Sequence, residues 1–375
     1  YYTYLYTLFQ SGPTMKPQRK IAVELLEIRN RHVGLGEFAY RLASHIATQA
    51  AELHDRYGIR FCFIVPRGFK GCFGPDVAYI EVPRSIRRII RFWPMRMDLC
   101  HITHQSSHIR YMLFARRNLL TVHDINFIYE KKGAKQLRYA HGFRSRLAHA
   151  DQLVYISQFT RKDVEAHFAP EQPCRTIYNG VAFSAPDPGT ELPPELPDRF
   201  LLHLSSLQPK KNAHLLIEMM AFMPEENLVV VGNWKSRYGQ KLLGRIKELE
   251  LNNIYPLEHV SDAQKAALYA RCCGFCFPSL CEGFGLPPIE AMKCGKPVFL
   301  STLTSLPEVG GEHACYYPEL TPEAMAQATR QGLRDFACDP EHKAAQIRNW
   351  ADRFDWEKCA DEYIGCYLDL LGIKE

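Results

Sequence analysis

The segment richest in chemically useful side chains runs from Pro278 to Met292 and reads PSLCEGFGLPPIEAM. An apolar run typical of a buried strand ends at Pro278, and Gly283 and Gly285 follow before a helical pattern begins. Glycine lets the backbone approach a ligand closely, and the free N–H groups at a helix start attract anions. This arrangement therefore indicates a phosphate site at the beginning of a helix.

Two carboxylates flank the same turn, Glu282 just before it and Glu290 near the first turn of the helix. Pro287 and Pro288 suit that first turn, where a missing N–H is no loss. A phosphate would repel both carboxylates, so they are better used to accept hydrogen bonds from sugar hydroxyls. A nucleotide sugar combines the two needs, since its pyrophosphate is flanked by two hydroxyl-rich sugars.

The elements that must position these residues alternate between β-rich runs and helical patterns. Expected strands of the first half are Ile21–Leu26, Phe61–Val65, Leu99–Thr103, Leu119–Val122, Leu153–Ile156 and Arg175–Tyr178. Those of the second half are Phe200–Leu204, Leu228–Val231, Asn253–Pro256, Gly274–Pro278, Pro297–Leu300 and Cys315–Tyr317. Helices are expected at Tyr238–Glu250, at Asp262–Arg271 with Ser261 as N-cap, and at Pro322–Gly332. Such alternation predicts two doubly wound parallel sheets, with ligands bound at the carboxyl ends of the strands.

Composition shifts divide the chain. Residues 184–197 read SAPDPGTELPPELP, which predicts a stiff linker between two domains. Residues 1–14 contain LFQSGP, which resembles a protease-cleavage scar, so Met15 is the expected native start. No run of 18 apolar residues is present, which excludes a membrane-spanning helix in this sequence.

The spacing Glu282-x7-Glu290 within EGFGLPPIEAM resembles the signature of retaining GT-B glycosyltransferases, specifically glycosyltransferase family 4. Other segments resemble the same family, namely LSSLQPKKN at 204–212, YISQFT at 155–160, IYNGV at 177–181 and SLPEV at 305–309. The resemblance extends from about Ile21 to the C-terminal helix. It implies a GT-B fold, in which two Rossmann-like domains face an interdomain cleft, and sugar transfer with retention at the anomeric carbon.

The resemblance also implies roles for the residues of the motif. Glu290 would hold the donor ribose, and Glu282 would hold the transferred sugar together with the backbone of the turn. That turn comprises Gly283, Phe284, Gly285 and Leu286.

The basic loop is expected to neutralise the diphosphate leaving group through Lys211. The family often carries Arg five residues earlier, where this chain has Ser206, so Lys210 is the candidate for the second positive charge. Lys211, Glu282 and a first-domain histidine form the predicted catalytic set.

Domain roles and substrates follow from the same resemblance. Residues 15–183 would bind the acceptor and residues 198–354 the nucleotide-diphosphate sugar, while residues 355–375 would form a helix returning to the first domain. The LSSLQPKKN variant resembles transferases of bacterial surface polysaccharide and lipopolysaccharide, including mannosyltransferases. This favours GDP-mannose as donor, and a glycan or lipid-linked saccharide as acceptor.

A second glycine pattern, GLGEFA at 34–39, fits the dinucleotide-binding fingerprint G-x-G-x-x-A. Seven residues separate it from the preceding strand, and the second strand ends at Val65-Pro66-Arg67, where NAD binding needs an acidic residue. A dehydrogenase is therefore disfavoured. Gly34 and Gly36 are expected either to contact donor phosphate or acceptor, or to serve as a turn for close packing.

His123 follows the expected strand that ends at Val122, with Asp124 beside it. In the family that the chain resembles, a histidine here contacts the donor sugar near the reacting carbon, so His123 is the third catalytic candidate. Asp124 is a weaker one, and His101 and His104 could also line the cleft.

Charge is distributed unevenly, because residues 15–180 carry 27 Lys and Arg against 14 Asp and Glu. Within this half, the segment PRSIRRIIRFW places its arginines on one helical face and its apolar residues on another. The basic and aromatic residues concerned are Arg84, Arg87, Arg88, Arg91 and Trp93. Two interpretations stay open, a contact with an anionic membrane or acceptor, and a core-packed helix with a solvated basic face.

The cysteines of the sequence, and the presence or absence of metal-binding and nucleic-acid motifs, each limit the classes of function that the chain can have. Thirteen scattered cysteines in a chain with a sufficient core indicate reduced thiols in a cytoplasmic protein, peripheral to the inner membrane face if the basic helix docks there. The sequence contains no Asp-x-Asp pair, so neither metal nor other cofactor is expected. A sugar-nucleotide epimerase and a non-catalytic basic module that binds lipid or nucleic acid remain alternatives, although no nucleic-acid motif is present.

Overall fold

The computed structural model describes residues 18–30, 34–83, 85, 96–109, 111, 115–182, 187 and 189–374. Seven strands belong to the first part of the chain: β1 Arg19–Glu24, β2 Ile59–Pro66, β3 Ala78–Val82, β4 Met97–Ile102, β5 Ala115–Val122, β6 Gln152–Tyr155 and β7 Cys174–Thr176. Six belong to the second part: β8 Leu201–Leu204, β9 Leu228–Val231, β10 Ile254–Leu257, β11 Gly274–Phe277, β12 Val298–Leu300 and β13 Cys315–Tyr316.

Helices connect these strands. In the first part they are α1 Gly34–Tyr57, α2 Phe127–Glu130, α3 Gly133–Leu147 and α4 Gln158–Phe168. In the second part they are α5 Ala213–Met220, α6 Arg237–Glu248, α7 Asp262–Arg271, α8 Leu286–Lys293, α9 Leu306–Gly310, α10 Pro322–Cys338, α11 Pro340–Ala351 and α12 Trp356–Leu370. In the described part of the chain, short 3₁₀ segments lie at Leu26–Arg29, Pro209–Lys211 and Gly311–His313.

The strands form two parallel sheets, each covered by helices. The first sheet has the order β3-β2-β1-β4-β5-β6-β7 and the second has the order β10-β9-β8-β11-β12-β13. In each, the strand order reverses beside the first strand, between β1 and β4 or between β8 and β11. Ligands of open α/β sheets bind at this switch point, outside the carboxyl ends of the strands. The expected pair of doubly wound sheets is confirmed.

Every expected strand is present, and their ends lie within two residues of expectation except that β5 begins four residues earlier. The edge strand β3 was not predicted, because its sequence AYIEV is short and its exposed Glu81 breaks the apolar run. Helix α10 continues six residues past the expected end at Gly332. Gly332 lies inside the helix and does not end it. A Cβ at this position would lie 2.6 Å from the Phe299 ring, so close packing is the reason that the residue is glycine.

The last helix, α12, crosses back from the second part of the chain and packs against α1 and the first sheet. Tyr363 and Tyr367 are fully buried there beside Phe38 and Phe61. The chain crosses over at Gly180, where a Cβ would lie 2.5 Å from Trp356 at the start of the helix. Residues near the end of the sequence therefore supply part of the hydrophobic core of the first sheet. Within the described residues, no helix is long and apolar enough to cross a membrane.

Candidate functional site

Two loops meet at the switch point of the second sheet, Ser205–Asn212 after β8 and Pro278–Gly285 after β11. The carbonyl oxygen of Lys210 joins them, because it accepts from the Leu280 N–H at 2.8 Å and from the Ser279 hydroxyl at 3.1 Å. The strand order brings the loops together, and these hydrogen bonds fix their register. As a result the basic loop and the glycine turn form one surface.

Lys211 pairs with Glu282 on this surface. The Lys211 Nζ lies 2.5 Å from Glu282 Oε1, and the two side chains are only 16% and 12% exposed. The same ammonium lies 5.3 Å from the centre of the Phe277 ring. The sequence left the partner of Lys211 open, and the structure places Glu282 there. Ser206, where the family often has Arg, is exposed.

At Gly283 and Gly285 of the turn, only glycine fits without strain or a steric clash. Gly285 adopts φ 116°, in the region that L side chains avoid, and is the N-cap of α8. A Cβ on Gly283 would lie 2.1 Å from the His123 carbonyl oxygen. Within the described residues, the N–H groups of Gly283, Phe284 and Gly285 donate to no protein acceptor. The turn therefore offers backbone donors to a ligand.

The side chains of this turn take different positions. Phe284 is buried, with ring centres 5.6 Å from Phe354 and 6.2 Å from Tyr178, so its contribution to a ligand site is through the backbone. Leu286 begins α8 and lies near Gly34 of the first domain, where a Cβ on Gly34 would be 3.9 Å from Leu286 Cδ1.

Glu290 is held by two side chains of α7. Lys265 Nζ lies 2.9 Å from Glu290 Oε1, and the Tyr269 hydroxyl donates to Oε2 at 2.8 Å. Burial alone would lower the pKa of Lys265, but the negative charge and hydrogen bond of Glu290 together have a larger effect. The pKa of Lys265 is therefore raised. Burial and Glu290 raise the pKa of Tyr269 well above its usual value. The sequence did not predict these partners, although α7 and its Ser261 N-cap were predicted correctly.

His123 lies at the carboxyl end of β5 in the first sheet. Its backbone N–H donates to Gln105 Oε1 at 2.9 Å, and its Nε2 lies 3.0 Å from the Thr103 carbonyl oxygen. Burial lowers the pKa of His123 to about 3, so the imidazole is neutral near pH 7. Because Nε2 must carry the proton to donate to that carbonyl, Nδ1 is the acceptor of the ring.

Asp124 is beside His123 and next to Gly283 of the second domain. Its Oδ1 accepts from Asn126 N–H at 3.1 Å and from Gln105 Nε2 at 3.3 Å. Burial raises the pKa of Asp124, while Lys210 opposes this effect.

A buried polar cluster lies at the ends of β1 and β4. Glu24 is fully buried and accepts from the Leu26 N–H at 2.9 Å and the Thr103 hydroxyl at 3.2 Å, and burial raises its pKa. His104 Nε2 is 3.9 Å from Glu24, and burial lowers the pKa of His104 to about 4. His101 bonds instead to Tyr367 and Thr121 under α12, which gives it a structural position.

The first-domain glycines differ in environment. A Cβ on Gly36 would lie 2.1 Å from the Asn30 carbonyl oxygen, which is the close packing that one of the two interpretations expected. Gly34 is exposed as the first residue of α1. Its position opposite Leu286 places it at the interdomain cleft.

Three residues of the first domain hold the glycine turn from across the cleft. Ser157 and Thr160 donate to the Gly283 carbonyl oxygen at 2.8 and 3.2 Å. Both belong to the segment YISQFT, but their partner could not be predicted from the sequence. The Cys281 thiol likewise contacts Asn126 Oδ1.

Two carboxylates complete the interdomain contact. Glu308 of α9 accepts from the Gln158 N–H at 2.6 Å and the Tyr178 hydroxyl at 2.6 Å. Glu130 of α2 pairs with Lys210 at 2.9 Å. Burial alone would lower the pKa of Lys210, but the hydrogen bond and the negative charge of Glu130 together have a larger effect. The pKa of Lys210 is therefore raised. The two switch points therefore face each other across one cleft.

Some predicted residues lie outside the described part of the chain, namely Arg84, Arg87, Arg88, Arg91 and Trp93. The predicted membrane contact of this helix stays a prediction. Within the described residues, no group of three or more His, Cys, Asp or Glu side chains is arranged to hold a metal ion.

Comparison with known proteins identifies the two halves separately. Residues 44–184 match the family model "Glycosyltransferase Family 4", and residues 191–351 match "Glycosyl transferases group 1".

Two curated relatives come from Escherichia coli. The serotype-specific mannosyltransferase WbdA is 34% identical over 191 residues, which are 47% of this chain and 22% of that protein. The O-antigen chain mannosyltransferase B is 32% identical over 177 residues, 45% of each protein. The chain therefore spans less than half the length of these relatives.

The fold is shared with solved structures. Sucrose-phosphate synthase from Thermosynechococcus elongatus superimposes with a TM-score of 0.74 at 18% identity, covering 95% of this chain and all of that one. At this identity the likeness concerns the fold alone.

Proposed function

The chain belongs to glycosyltransferase family 4, and we propose that it transfers a hexose from a nucleotide-diphosphate sugar to a glycan or lipid-linked saccharide. The sugar proposed first is mannose, supplied as GDP-mannose, because both curated relatives are mannosyltransferases. The process would be the synthesis of a bacterial surface polysaccharide. The observation that supports this proposal best is the meeting of Lys211, Glu282 and the glycine turn at one switch point.

In the proposed complex the diphosphate lies against the basic loop and the start of α8. Lys211 supplies a positive charge and the turn supplies N–H donors, both aimed at oxygens that gain charge as the glycosidic bond breaks. Only interactions that strengthen in the transition state raise the rate. Lys211 is therefore proposed as the group that stabilises the leaving diphosphate.

The two glutamates are proposed to bind hydroxyl groups on either side of the diphosphate. Glu290 would accept from the ribose, with Lys265 and Tyr269 fixing its two oxygens. Glu282 would accept from the transferred sugar while it stays next to Lys211. His123 would contact this sugar through Nδ1 as a neutral acceptor, because its Nε2 is committed to the Thr103 carbonyl.

The acceptor is proposed to enter from the first domain, next to Asp124 and Gly34. Transfer would then occur with retention, on one face of the sugar, and the departing diphosphate would help to remove the acceptor proton. No divalent metal is required by this proposal, because Lys211 and the helix start neutralise the diphosphate.

A product assay tests the proposal. The purified chain is incubated with GDP-mannose in EDTA, with and without an oligomannose acceptor, and the products are separated and analysed by NMR. We expect an α-linked mannosyl product and GDP release that depends on the acceptor. Release of mannose to water alone, or a changed hexose without an acceptor, would contradict transfer.

Variants sharpen this assay. Glu290→Ala should raise the KM for the donor and reduce turnover strongly, since it removes the proposed ribose contact. Glu323→Ala is the matched control, because that carboxylate is exposed in the first turn of α10, outside the two loops that form the site. Equal donor KM in wild type and Glu290→Ala would contradict the ribose role.

A further inference from the structure

A buried histidine, His203, lies at the base of the basic loop. It belongs to β8, and its side chain is fully buried. The parallel register between β8 and β11 includes the pair Leu202–Phe275. One residue further along each strand, the imidazole contacts β11 directly, because His203 Nδ1 lies 2.8 Å from the Cys276 carbonyl oxygen. The side chain of His203 therefore joins the two strands just before the loops that form the proposed diphosphate site.

The hydrogen bonds of His203 have a defined direction. Burial, with a smaller contribution from the charge of Lys211, lowers the pKa of His203 to about 4, so the ring carries one N–H near pH 7. A carbonyl oxygen only accepts, so Nδ1 carries the proton and Nε2 is the acceptor. Nε2 lies 2.9 Å from the Ser205 hydroxyl, which therefore donates to it. The Ser205 oxygen in turn accepts from the Leu207 N–H at 3.2 Å. We call these three hydrogen bonds the His203 network.

The His203 network ends at a backbone conformation that leucine rarely adopts. Leu207 has φ 47°, in the left-handed region, and its side chain is buried. The packing around it is tight, because a Cβ on Gly232 would lie 2.5 Å from Leu207 Cγ. Such a conformation persists only where the surrounding contacts determine it. The Ser205 hydroxyl supplies one of these contacts, and the loop then continues into the 3₁₀ turn Pro209–Lys211.

A second connection between His203 and Lys211 runs through an aromatic ring. The centre of the Phe277 ring lies 5.8 Å from that of His203 and 5.3 Å from Lys211 Nζ. Phe277 is fully buried, so its ring position depends on its neighbours. His203 therefore supports the loop main chain through Ser205 and the ring beneath the ammonium through Phe277.

We propose that His203 is a positioning residue of the diphosphate site, which it aligns through Ser205 and the basic loop. The imidazole holds the Ser205 hydroxyl, the hydroxyl fixes the Leu207 N–H, and the loop then presents Lys211 to the diphosphate. This inference rests on the proposed function, because it concerns the alignment of Lys211 with the leaving group. His203 is fully buried and does not touch the substrate, so it acts only through the loop.

Two substitutions of His203 separate positioning from packing. An Asn amide reaches the position of Nδ1, whereas a Gln amide reaches that of Nε2. His203→Asn therefore keeps a donor for the Cys276 carbonyl and leaves the Ser205 hydroxyl without its acceptor. His203→Gln keeps the acceptor for Ser205 instead. Both variants lose the aromatic ring, so their unfolding temperatures should fall by similar amounts.

Calorimetric titration of the full chain with GDP and with guanosine, in EDTA, measures the effect on the diphosphate. A misaligned hydrogen bond to a charged group corresponds to about tenfold in affinity, so His203→Asn and Ser205→Ala should each bind GDP about tenfold more weakly. His203→Gln should stay within about threefold of wild type. The affinity for guanosine, which has no phosphate, should change by less than about twofold in all three variants. His203→Asn combined with Ser205→Ala should lose no more than either alone, because both interrupt the same network.

The matched control is His101→Asn in the first sheet. His101 is also fully buried, and its ring nitrogens bond to Tyr367 and Thr121. The same substitution at this position should lower the unfolding temperature as well, while GDP affinity stays within about twofold of wild type. It therefore separates a general loss of stability from a loss of loop alignment.

Amide hydrogen exchange of residues 205–212 in the free protein gives a readout without any ligand. Exchange in this loop should become faster in His203→Asn and in Ser205→Ala, because the Leu207 N–H loses a fixed acceptor. It should match wild type in His203→Gln and in His101→Asn.

Unchanged GDP affinity and unchanged loop exchange in His203→Asn and Ser205→Ala would overturn the inference. An equal loss of GDP affinity in His203→Asn and His203→Gln would also overturn it, because the ring would then serve packing alone. A wild-type chain that binds no GDP would contradict the proposed function instead. In that case the exchange measurements decide whether His203 holds the loop.

Discussion

The two sheets have equivalent switch points, but the side chains at these points differ in charge. In the first domain, burial raises the pKa of Glu24 and Asp124 and lowers that of His123, so the buried groups favour their neutral forms. In the second domain, Lys211 pairs with Glu282 and Lys265 with Glu290. One edge of the cleft therefore carries mostly neutral donors and acceptors, and the other carries ion pairs.

The difference shows how one topology can serve two kinds of ligand. A half-buried ion pair stays charged because each partner offsets the desolvation of the other, and a diphosphate can share the same cation. Neutral groups at the first edge suit hydroxyl groups of an uncharged saccharide, which exchange hydrogen bonds without a change of charge. The strand order locates the ligands, and the side chains determine which ligand binds on each side.

The largest effect is expected from Lys211→Ala. This change removes the cation that the proposal assigns to the leaving diphosphate and should lower kcat/KM by about 10²–10³-fold. Initial rates of GDP release with a saturating acceptor measure it. Lys210→Ala is the comparison on the same loop, and it should lose less because Glu130 of the first domain holds the Lys210 ammonium across the cleft, whereas Glu282 holds that of Lys211 beside the glycine turn. Similar losses for the two lysines would contradict the distinct role of Lys211.

The next effect contrasts two glycines that face the cleft from opposite domains. Gly283→Ala places a Cβ 2.1 Å from the His123 carbonyl oxygen, so the turn or β5 must shift, at a cost of about 1–3 kcal/mol. Gly34→Ala meets only Leu286 Cδ1 at 3.9 Å and should leave stability nearly unchanged. Urea unfolding and donor KM measure both. An undisturbed Gly283→Ala variant would show that the interdomain contact is not fixed.

A smaller effect concerns pH. Burial lowers the pKa of His101 to about 3, well below its ordinary value of 6.5. Between these values the unfolded chain binds the proton and the folded chain does not, so stability falls as the pH falls from 6.5 towards 3. Each such histidine contributes up to about 1.4 kcal/mol per pH unit.

His101→Gln should therefore flatten the dependence of unfolding free energy on pH between 6 and 4.5. Its polar side chain can still bond to Thr121 or Tyr367. The control is His342→Gln, an exposed position that should leave the slope unchanged. An equal slope in His101→Gln and wild type would mean that His101 is not held neutral.

The smallest effect is expected from Glu130→Gln, which breaks the ion pair with Lys210 across the cleft. Both side chains are about a third exposed, so the loss should stay under about 1 kcal/mol and shrink with added salt. Thermal unfolding at two salt concentrations measures it. Glu165→Gln, within the α4 pair Arg161–Glu165, controls for charge alone. A salt-independent loss above 2 kcal/mol would mean that this pair is a main interdomain contact.

Local sequence patterns were sufficient for most of the fold. The Ser261 cap and helix Asp262–Arg271 were predicted correctly, because the capping box is contained within four residues. The predicted end of α10 at Gly332 was wrong. The position needs glycine because it contacts Phe299 of a neighbouring strand, and this contact could not be predicted from the local sequence. The short edge strand Ala78–Val82 lacks the apolar run that marks the others.

The site was predictable only where its parts are adjacent in sequence. The glycine turn and Glu282 lie in one motif, but the partners that complete the site are distant. Lys211 is 71 residues from Glu282, and Lys210 is 80 residues from Glu130. Only the fold brings such pairs together. The functions of these residues in transfer stay predictions.

We propose that the second switch point binds the diphosphate of a nucleotide sugar through Lys211. Calorimetric titration of GDP-mannose in EDTA, into wild type and Lys211→Ala, tests this binding. We expect saturable one-to-one binding to wild type and binding to the variant that is weaker by about tenfold or more. Equal affinity of the two proteins for GDP-mannose, or binding only when a divalent metal is restored, would contradict it.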